Sequence, residues 1–270
     1  MRSLIYILLI ILYSCIGKQS KGNCNFGNCA DGYGKFTDSK DFQYEGEFRN
    51  GVFNGKGELK FPEGEVYTGE FKDGDFEGKG TLLFPNGEKY TGDFRGGKFE
   101  GTGKLKFPDG VVYDGEFVDG KFDGKGELKF PTGESYDGNF SKGKFNGEGL
   151  LRHKNKETYK GQFTEGSYNG TGLLLLPSGK KYQGSFKNNL FDGHGVLSFP
   201  NGTTYVGEFK EGLYDGSGFL SSTLGESYRG SFKKGKFEGK GVLTKPDGVV
   251  IKGEFRNGEP VGEGEVVFPN

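Results

Sequence analysis

The chain is periodic, and the period constrains its fold more than any other property. Written in rows of 23, residues 44–270 align without a gap. Tyr fills the first column at Tyr44, Tyr67, Tyr90, Tyr113, Tyr136, Tyr159, Tyr182, Tyr205 and Tyr228, and Ile251 replaces it in the tenth row. Gly stands two residues on in every row, from Gly46 to Gly253, and Phe four residues on, from Phe48 to Phe255. Two more columns are glycine throughout, Gly55 to Gly262 and Gly57 to Gly264. A looser stretch ahead of them, with Gly32, Gly34 and Phe36, matches the second half of a row. Such a period means one small unit stacked on copies of itself, so 23 residues and their neighbours decide the fold.

Each row reads as two strands. Tyr67-Thr68-Gly69-Glu70-Phe71 alternates at period two, and so does Gly78-Lys79-Gly80-Thr81-Leu82-Leu83-Phe84. Asp73-Gly74-Asp75 separates the two, and Pro85-Asn86-Gly87 follows them, both with turn chemistry. The 53 glycines and 27 phenylalanines among 270 residues suit short strands and tight turns rather than helices. The expected fold is all-β: an elongated, single-layer, twisted antiparallel meander of tandem β-hairpins, solenoid-like, preceded by a signal-peptide helix. About twenty strands at roughly 4.8 Å would extend some 95 Å.

The alternation also assigns the faces. Tyr, Gly and Phe of the first strand share a face with Gly, Gly, Leu and Phe of the second, and the opposite face is polar. Aromatic rings lying over glycine backbone would recover the packing that glycine lacks.

These columns resemble the MORN repeat (membrane occupation and recognition nexus), whose unit reads Tyr-x-Gly-x-Phe-x-x-Gly-x-x-x-Gly-x-Gly. The resemblance covers ten units from residue 44, with a partial unit at 30–43. It implies a single-layer sheet of hairpins, roles in scaffolding, dimer formation and contact with membrane lipid, and no catalytic activity.

The first residues form a separate object. Met1-Arg2 precedes the apolar run Leu4–Leu12, which has signal-peptide length and is short of the roughly 20 residues of a spanning helix. Leu12-Tyr13-Ser14-Cys15 resembles a bacterial lipoprotein box with Cys15 as the lipidated residue, although Tyr13 occupies a place usually small. Cleavage near Ser14 without lipidation, or an uncleaved anchor, are the alternatives. The expected domains are a signal peptide at 1–14, a lipidated tether at 15–29 and a MORN-repeat domain at 30–270. The expected location is the bacterial cell envelope, and the lack of Asp after Cys15 resembles outer-membrane sorting. Cys24 and Cys29 are the remaining cysteines, suited to a disulfide in an exported chain, with free thiols as the alternative.

Charge excludes a nucleic-acid footprint, since 36 basic and 37 acidic residues interleave to a net −1. No cofactor or metal is expected. The Gly-x-Gly pairs lie inside strands with no helix behind them, unlike a nucleotide-binding loop. Only His153 and His194 could serve as a catalytic base, in different rows, and His194 between Gly193 and Gly195 should face solvent. An enzyme is not expected.

Two surfaces stand out as candidates. The aromatic rows, represented by Tyr67, Phe71, Tyr90, Phe94, Tyr113, Phe117, Tyr136 and Phe140, could grip a protein partner or a glycan, or could simply hold the sheet together. Arg152, His153, Lys154 and Lys156 replace the Phe-Pro-x-Gly connection of the fifth row and could meet phospholipid head groups or an acidic polymer, or be a tolerated turn variant. The last strand, ending at Val266-Val267-Phe268, offers an edge for a homodimer. Ser221-Ser222-Thr223 should break the array locally, Asn189 should take a left-handed turn position in place of glycine, and Pro260 should finish the array.

Overall fold

The computed structural model describes residues 22–269, and these are all-β, with twenty-two strands and no helix. The signal segment and Cys15 lie outside the described residues. The described residues form two compact units, 22–144 and 145–269. In the first, strands Gly22–Gly27 and Gly32–Asp38 precede four complete hairpins and the strand Ser135–Ser141. The second runs from the strand Lys144–Arg152 through five hairpins to Glu259–Val267. Inside each unit every strand pairs antiparallel with its neighbours in sequence. Each row contributes a short strand of seven residues, such as Val112–Val118, and a long one of nine, such as Lys121–Lys129.

The turns follow from their residues. Asp119 and Gly120 have φ of +50° and +75°, the two-residue hairpin loop whose twist matches the strands it joins. Between rows, Gly87 N–H donates to the Phe84 carbonyl and Phe84 N–H to the Glu88 carbonyl, with Gly87 at φ +88°. Asn189 does take the left-handed position, at φ +69°. The array does not break at Ser221–Thr223. Ser222 N–H still donates to the Glu226 carbonyl at 2.8 Å, and Ser221 still pairs with Ser227. Backbone pairing needs no apolar side chain there.

The long strand departs from simple alternation. Phe117 pairs with Phe122 and Gly115 with Gly126, so Glu116 alone opposes Asp123, Gly124 and Lys125. This bulge requires Gly124 at φ +91°, which explains that invariant glycine column. The Lys125 N–H that loses its ladder partner donates instead to Glu116 Oε1 at 3.0 Å. Glu47, Asp93, Gln162 and Glu208 make the same clasp in their rows. On its other edge the long strand stays in register, with Gly124 opposite Phe140 and Gly126 opposite Gly138.

The bulge also turns a third aromatic inward. Phe122 stacks on Tyr113 with centroids 3.7 Å apart, and Phe117 and Phe140 meet the Tyr113 ring edge-on at 5.1 Å. The Tyr113 ring lies over Gly126, and its hydroxyl donates to the Glu116 carbonyl at 2.8 Å. Unit 2 repeats the arrangement around Tyr159, Tyr182, Tyr205 and Tyr228. Each edge-on or offset pair adds about 1 kcal/mol beyond its buried area. Pro260 stands in the aromatic column of the last row, opposite Phe255, and every residue of its strand is exposed.

Adjacent rows are clipped at their turns. Gly120 N–H donates to the Phe99 carbonyl at 2.9 Å, and Asp119 N–H to Glu100 Oε2 at 3.1 Å. The same side-chain clip, always across 19 residues, recurs from Asn50 on Asp31 to Asn257 on Glu238.

Part of the span expected to be a tether, 15–29, is a strand. Gly22–Gly27 pairs antiparallel with Gly32–Asp38, with a register shift between Cys24 and Phe26. The Cys24–Cys29 disulfide, with Cα atoms 5.9 Å apart, closes the turn between those strands.

Candidate interaction surfaces

The aromatic rows are not the exposed face they could have been. Tyr67, Tyr90, Tyr113 and Tyr136 are each 0% exposed, and Phe71, Phe94, Phe117 and Phe140 lie between 1% and 4%. The reason is the bulge, which supplies an additional ring per row and closes the tiling without a second layer. These eight residues are core, and what they offer function is rigidity.

Their hydroxyls show the same seclusion. Burial pushes Tyr182 up to about 12, and Tyr67, Tyr90, Tyr113, Tyr159 and Tyr205 well above the ordinary phenol range, with nearby carboxylates or tyrosines adding to the shift. Tyr33 is exposed and is raised mainly by its hydrogen bond to Glu45.

The basic connection is divided. Arg152, Lys154 and Lys156 are exposed, whereas the half-buried His153 ring lies 3.0 Å from the Tyr168 hydroxyl and 3.8 Å from Glu157. His153 fills the position that Phe61, Phe107 and Phe199 occupy elsewhere, so it belongs under the turn rather than to a cationic patch. Lys156 carries φ +71° where the other connections between complete rows place glycine, and Asp41 takes the same position, at φ +66°, ahead of the first row. His194 is exposed, and no His/Cys/Asp/Glu cluster suited to a metal occurs among the described residues.

The polar face carries the information that the period conceals. In unit 1 it holds a groove of 530 Å³ lined by Thr68, Thr81, Thr91 and Thr102, with Lys79, Lys104 and Asp114 at its margins. Thr81 and Thr91 hydroxyls lie 3.1 Å apart within it. One lateral row there runs strand to strand through Glu45, Glu58, Thr68, Thr81, Thr91, Lys104, Asp114, Glu127 and Asp137. The corresponding row in unit 2 is Leu150, Lys160, Leu173, Gln183, Val196, Val206, Phe219, Arg229, Val242 and Lys252. Because Leu151, Leu174, Leu197 and Leu243 point into the core, their predecessors in sequence point to the polar face. Sequence reasoning passed over this change of character, although the 23-residue alignment displays it as one column.

Hairpin after hairpin, an aromatic core closed on one face and a chemically varied surface on the other define a tandem β-hairpin repeat protein. The MORN repeat matches residues 44–66, 67–89, 90–112, 113–135, 136–158, 159–181, 182–204, 205–223, 228–250 and 252–270. The chain belongs to the MORN-repeat family. Among solved structures it is similar to the TCP10c domain of Drosophila melanogaster Sas-4, at 15% identity and TM-score 0.34, over 58% of this chain and 93% of that one. It is also similar to the TCP10 domain of Danio rerio CPAP, solved with a peptide of Danio rerio STIL, at 14% identity and TM-score 0.28, over 92% and 100%. No curated protein sequence matches it.

Proposed function

We propose that the chain is a membrane-anchored scaffold of the bacterial cell envelope, exported by its first fourteen residues, held by a lipid on Cys15, and presenting its repeat surface to a protein partner. The supporting observation is the combination of ten matched MORN units with an aromatic core closed on itself. That core holds the outer residues at a fixed pitch, as an adaptor surface requires. The reading includes no catalysis: His153 is engaged with Tyr168, and His194 is exposed. Affinity capture from envelope membranes with the anchor intact should recover the same partner repeatedly. Failure to recover any, together with monomeric and inert behaviour in solution, would reject the reading. Cys15→Ala should abolish fatty-acid labelling and release the chain from membranes, and retained labelling would reject the anchor.

A second reading, contact with phospholipid or cell-wall glycan, is favoured by Arg152, Lys154 and Lys156, exposed together on one connection. It requires salt-sensitive sedimentation with anionic liposomes or wall polymer, lost on reversing these three charges. A homodimer through the exposed strand Glu259–Val267 would show as concentration-dependent mass in sedimentation.

A further inference from the structure

One column of the repeat changes chemistry between the two units. It reads Glu58, Thr81, Lys104 and Glu127 in unit 1, and Leu150, Leu173, Val196, Phe219 and Val242 in unit 2, before returning to Glu265. Its partner column, on the short strands, changes as well. In unit 1 it holds the acids Glu45, Asp114 and Asp137; in unit 2 it reads Lys160, Gln183, Val206, Arg229 and Lys252. Cross-strand pairing interleaves the two columns, so unit 2 carries an apolar residue on every second strand, with Lys160, Gln183, Val206, Arg229 and Lys252 on the strands between. Val206 fills one intervening place, making Val196, Val206 and Phe219 a continuous apolar centre. Val196 and Val206 are 39% and 47% exposed, and the other apolar members are half-buried. Nothing in the core explains the change, since these side chains point away from it.

The strip specifies its occupant by charge and by pitch. Lys160 lies between Leu150 and Leu173, and no acid belongs to the strip before Glu265, which pairs with Lys252 at 3.1 Å. Arg229 holds its guanidinium 4.4 Å from the centre of the Phe219 ring, a position that leaves its N–H groups able to meet a carboxylate. The neighbouring row on this face holds the acids Glu148, Glu208 and Glu254, of which Glu208 already accepts from Ser217 N–H. Two strand spacings amount to roughly 9.6 Å. A polyproline-II segment advances about 9.3 Å per three-residue turn. A β-strand brings like-facing residues back after about 6.7 Å, and an α-helix after about 5.4 Å or, over seven residues, 10.5 Å. The polyproline repeat is the one that stays in step over five positions.

We propose that the polar face of unit 2 is a docking strip for an acidic, proline-rich segment of a partner protein, bound in polyproline-II conformation across the strands. Every third residue of the segment is apolar and sits on Leu150, Leu173, Val196, Phe219 or Val242. Carboxylates between them meet Lys160 and Arg229. Unit 1 has Glu45, Asp114 and Asp137 where the strip has cations, and Glu45 and Asp114 already engage Lys35 and Lys104, so it offers the segment no matching site. This assignment deepens the scaffold reading and rests on it.

The probe is a fluorescein-labelled peptide of six Leu-Pro-Glu repeats, titrated with the full chain by fluorescence anisotropy. Saturable binding is expected, weakened about tenfold or more by Phe219→Thr at the centre of the strip, and comparably by Arg229→Glu. Added salt should weaken it further. Asp114→Lys in unit 1 should leave it unchanged. A Leu-Pro-Lys peptide should not bind, and an alternating Leu-Glu peptide of equal length should bind at least about tenfold more weakly, its apolar residues falling out of step. Should Phe219→Thr melt early, Arg229→Glu decides, because an exposed cation on this face contributes nothing to the core. No saturable binding, equal binding of the Leu-Pro-Lys peptide, or indifference to both unit 2 variants would overturn the proposal. So would self-association, or co-sedimentation with phosphatidylglycerol vesicles, that Phe219→Thr abolishes, since a second copy or a membrane would then own the strip. If the peptide fails while membrane capture still recovers a partner, the strip assignment falls alone; if both fail, the scaffold reading falls with it.

Discussion

Replacing Gly126 by Ala adds one carbon, and the structure says where it would go. A Cβ there would stand 2.5 Å from the Tyr113 hydroxyl oxygen and 2.6 Å from Cε2 and Cζ. Ordinary contact begins near about 3.5 Å, so the ring must retreat by roughly 1 Å. It has nowhere to go: Phe122 stacks on it at 3.7 Å, Phe117 and Phe140 flank it, and none of it is exposed. Overpacking of this kind costs about 1–3 kcal/mol, and losing the hydroxyl's bond to the Glu116 carbonyl about 1 more. Alanine's smaller backbone entropy returns about 0.5–1 kcal/mol, leaving a net loss of about 1–3.5 kcal/mol. Gly133→Ala supplies the contrast, because at φ +91° it meets no atom within 4 Å and suffers only backbone strain of about 1–2 kcal/mol. The decisive measurement is a double-mutant cycle. Tyr113→Phe removes the nearest atom, so its usual cost of about 1 kcal/mol should vanish beside Gly126→Ala and persist beside Gly133→Ala. A repeat array need not unfold in one step, so protection of amides in Val112–Val118 and Lys121–Lys129 should be read by hydrogen exchange, with Lys236–Thr244 as reference. Additivity within about 0.3 kcal/mol in the Gly126 cycle would show that ring and glycine do not share the space described.

Three further outcomes follow from the geometry. The core tyrosines are held neutral, with Tyr182 raised to about 12 from an unfolded value near 10, so their contribution is complete below pH 10 and lost as pH climbs toward 12. Phenolate absorbance should therefore lag behind that of the denatured chain and then rise together with loss of strand signal; free titration near pH 10 would refute the burial. Lys156→Gly should stabilise the fifth connection by about 0.5–1 kcal/mol by relieving φ +71°, seen as slower exchange around Lys144–Arg152 and Thr158–Thr164, and a loss of protection would contradict it. Cys24→Ser with Cys29→Ser should weaken the first strand pair by about 2 kcal/mol and leave Lys236–Thr244 unchanged; equal loss in both places would mean that the disulfide acts on more than its own turn.

Much of this was legible in the residues. Tyr-x-Gly-x-Phe and the Pro-x-Gly turns gave strands, loops and the inward side of Tyr67 and Phe71, and Asn189 declared its left-handed turn. What stayed hidden traces to one event. A bulge at Gly124 places two extra residues in the long strand, and alternation read straight through it cannot show that Phe122 joins Tyr113. That missing ring made the aromatic face look open. The clasp from Glu116 was equally invisible, because the N–H it serves exists only once the bulge forms. Ser221–Thr223 misled for a different reason, since polarity signals a break only where side chains rather than ladder bonds hold the register. The strip on unit 2 needed no coordinates to be noticed. The glycine and tyrosine columns drew attention by being constant, and Leu150 to Val242 carry meaning by departing from their own column.

The clips between turns give the array a direction. The backbone N–H groups of the loop at Asp119–Gly120 go to the Phe99 carbonyl and the Glu100 carboxylate, both earlier in the chain. The bond in the opposite sense comes from a side chain, Lys98 Nζ to Asp119 Oδ1 at 2.8 Å. A newly made row thus meets a finished template on its upstream side. Growth from the amino end can complete each loop as it emerges, whereas a row deprived of its predecessor starts with unanswered donors. Excising a whole 23-residue period from inside a unit rejoins one loop to an equivalent template, so the array can be shortened row by row without losing its grammar.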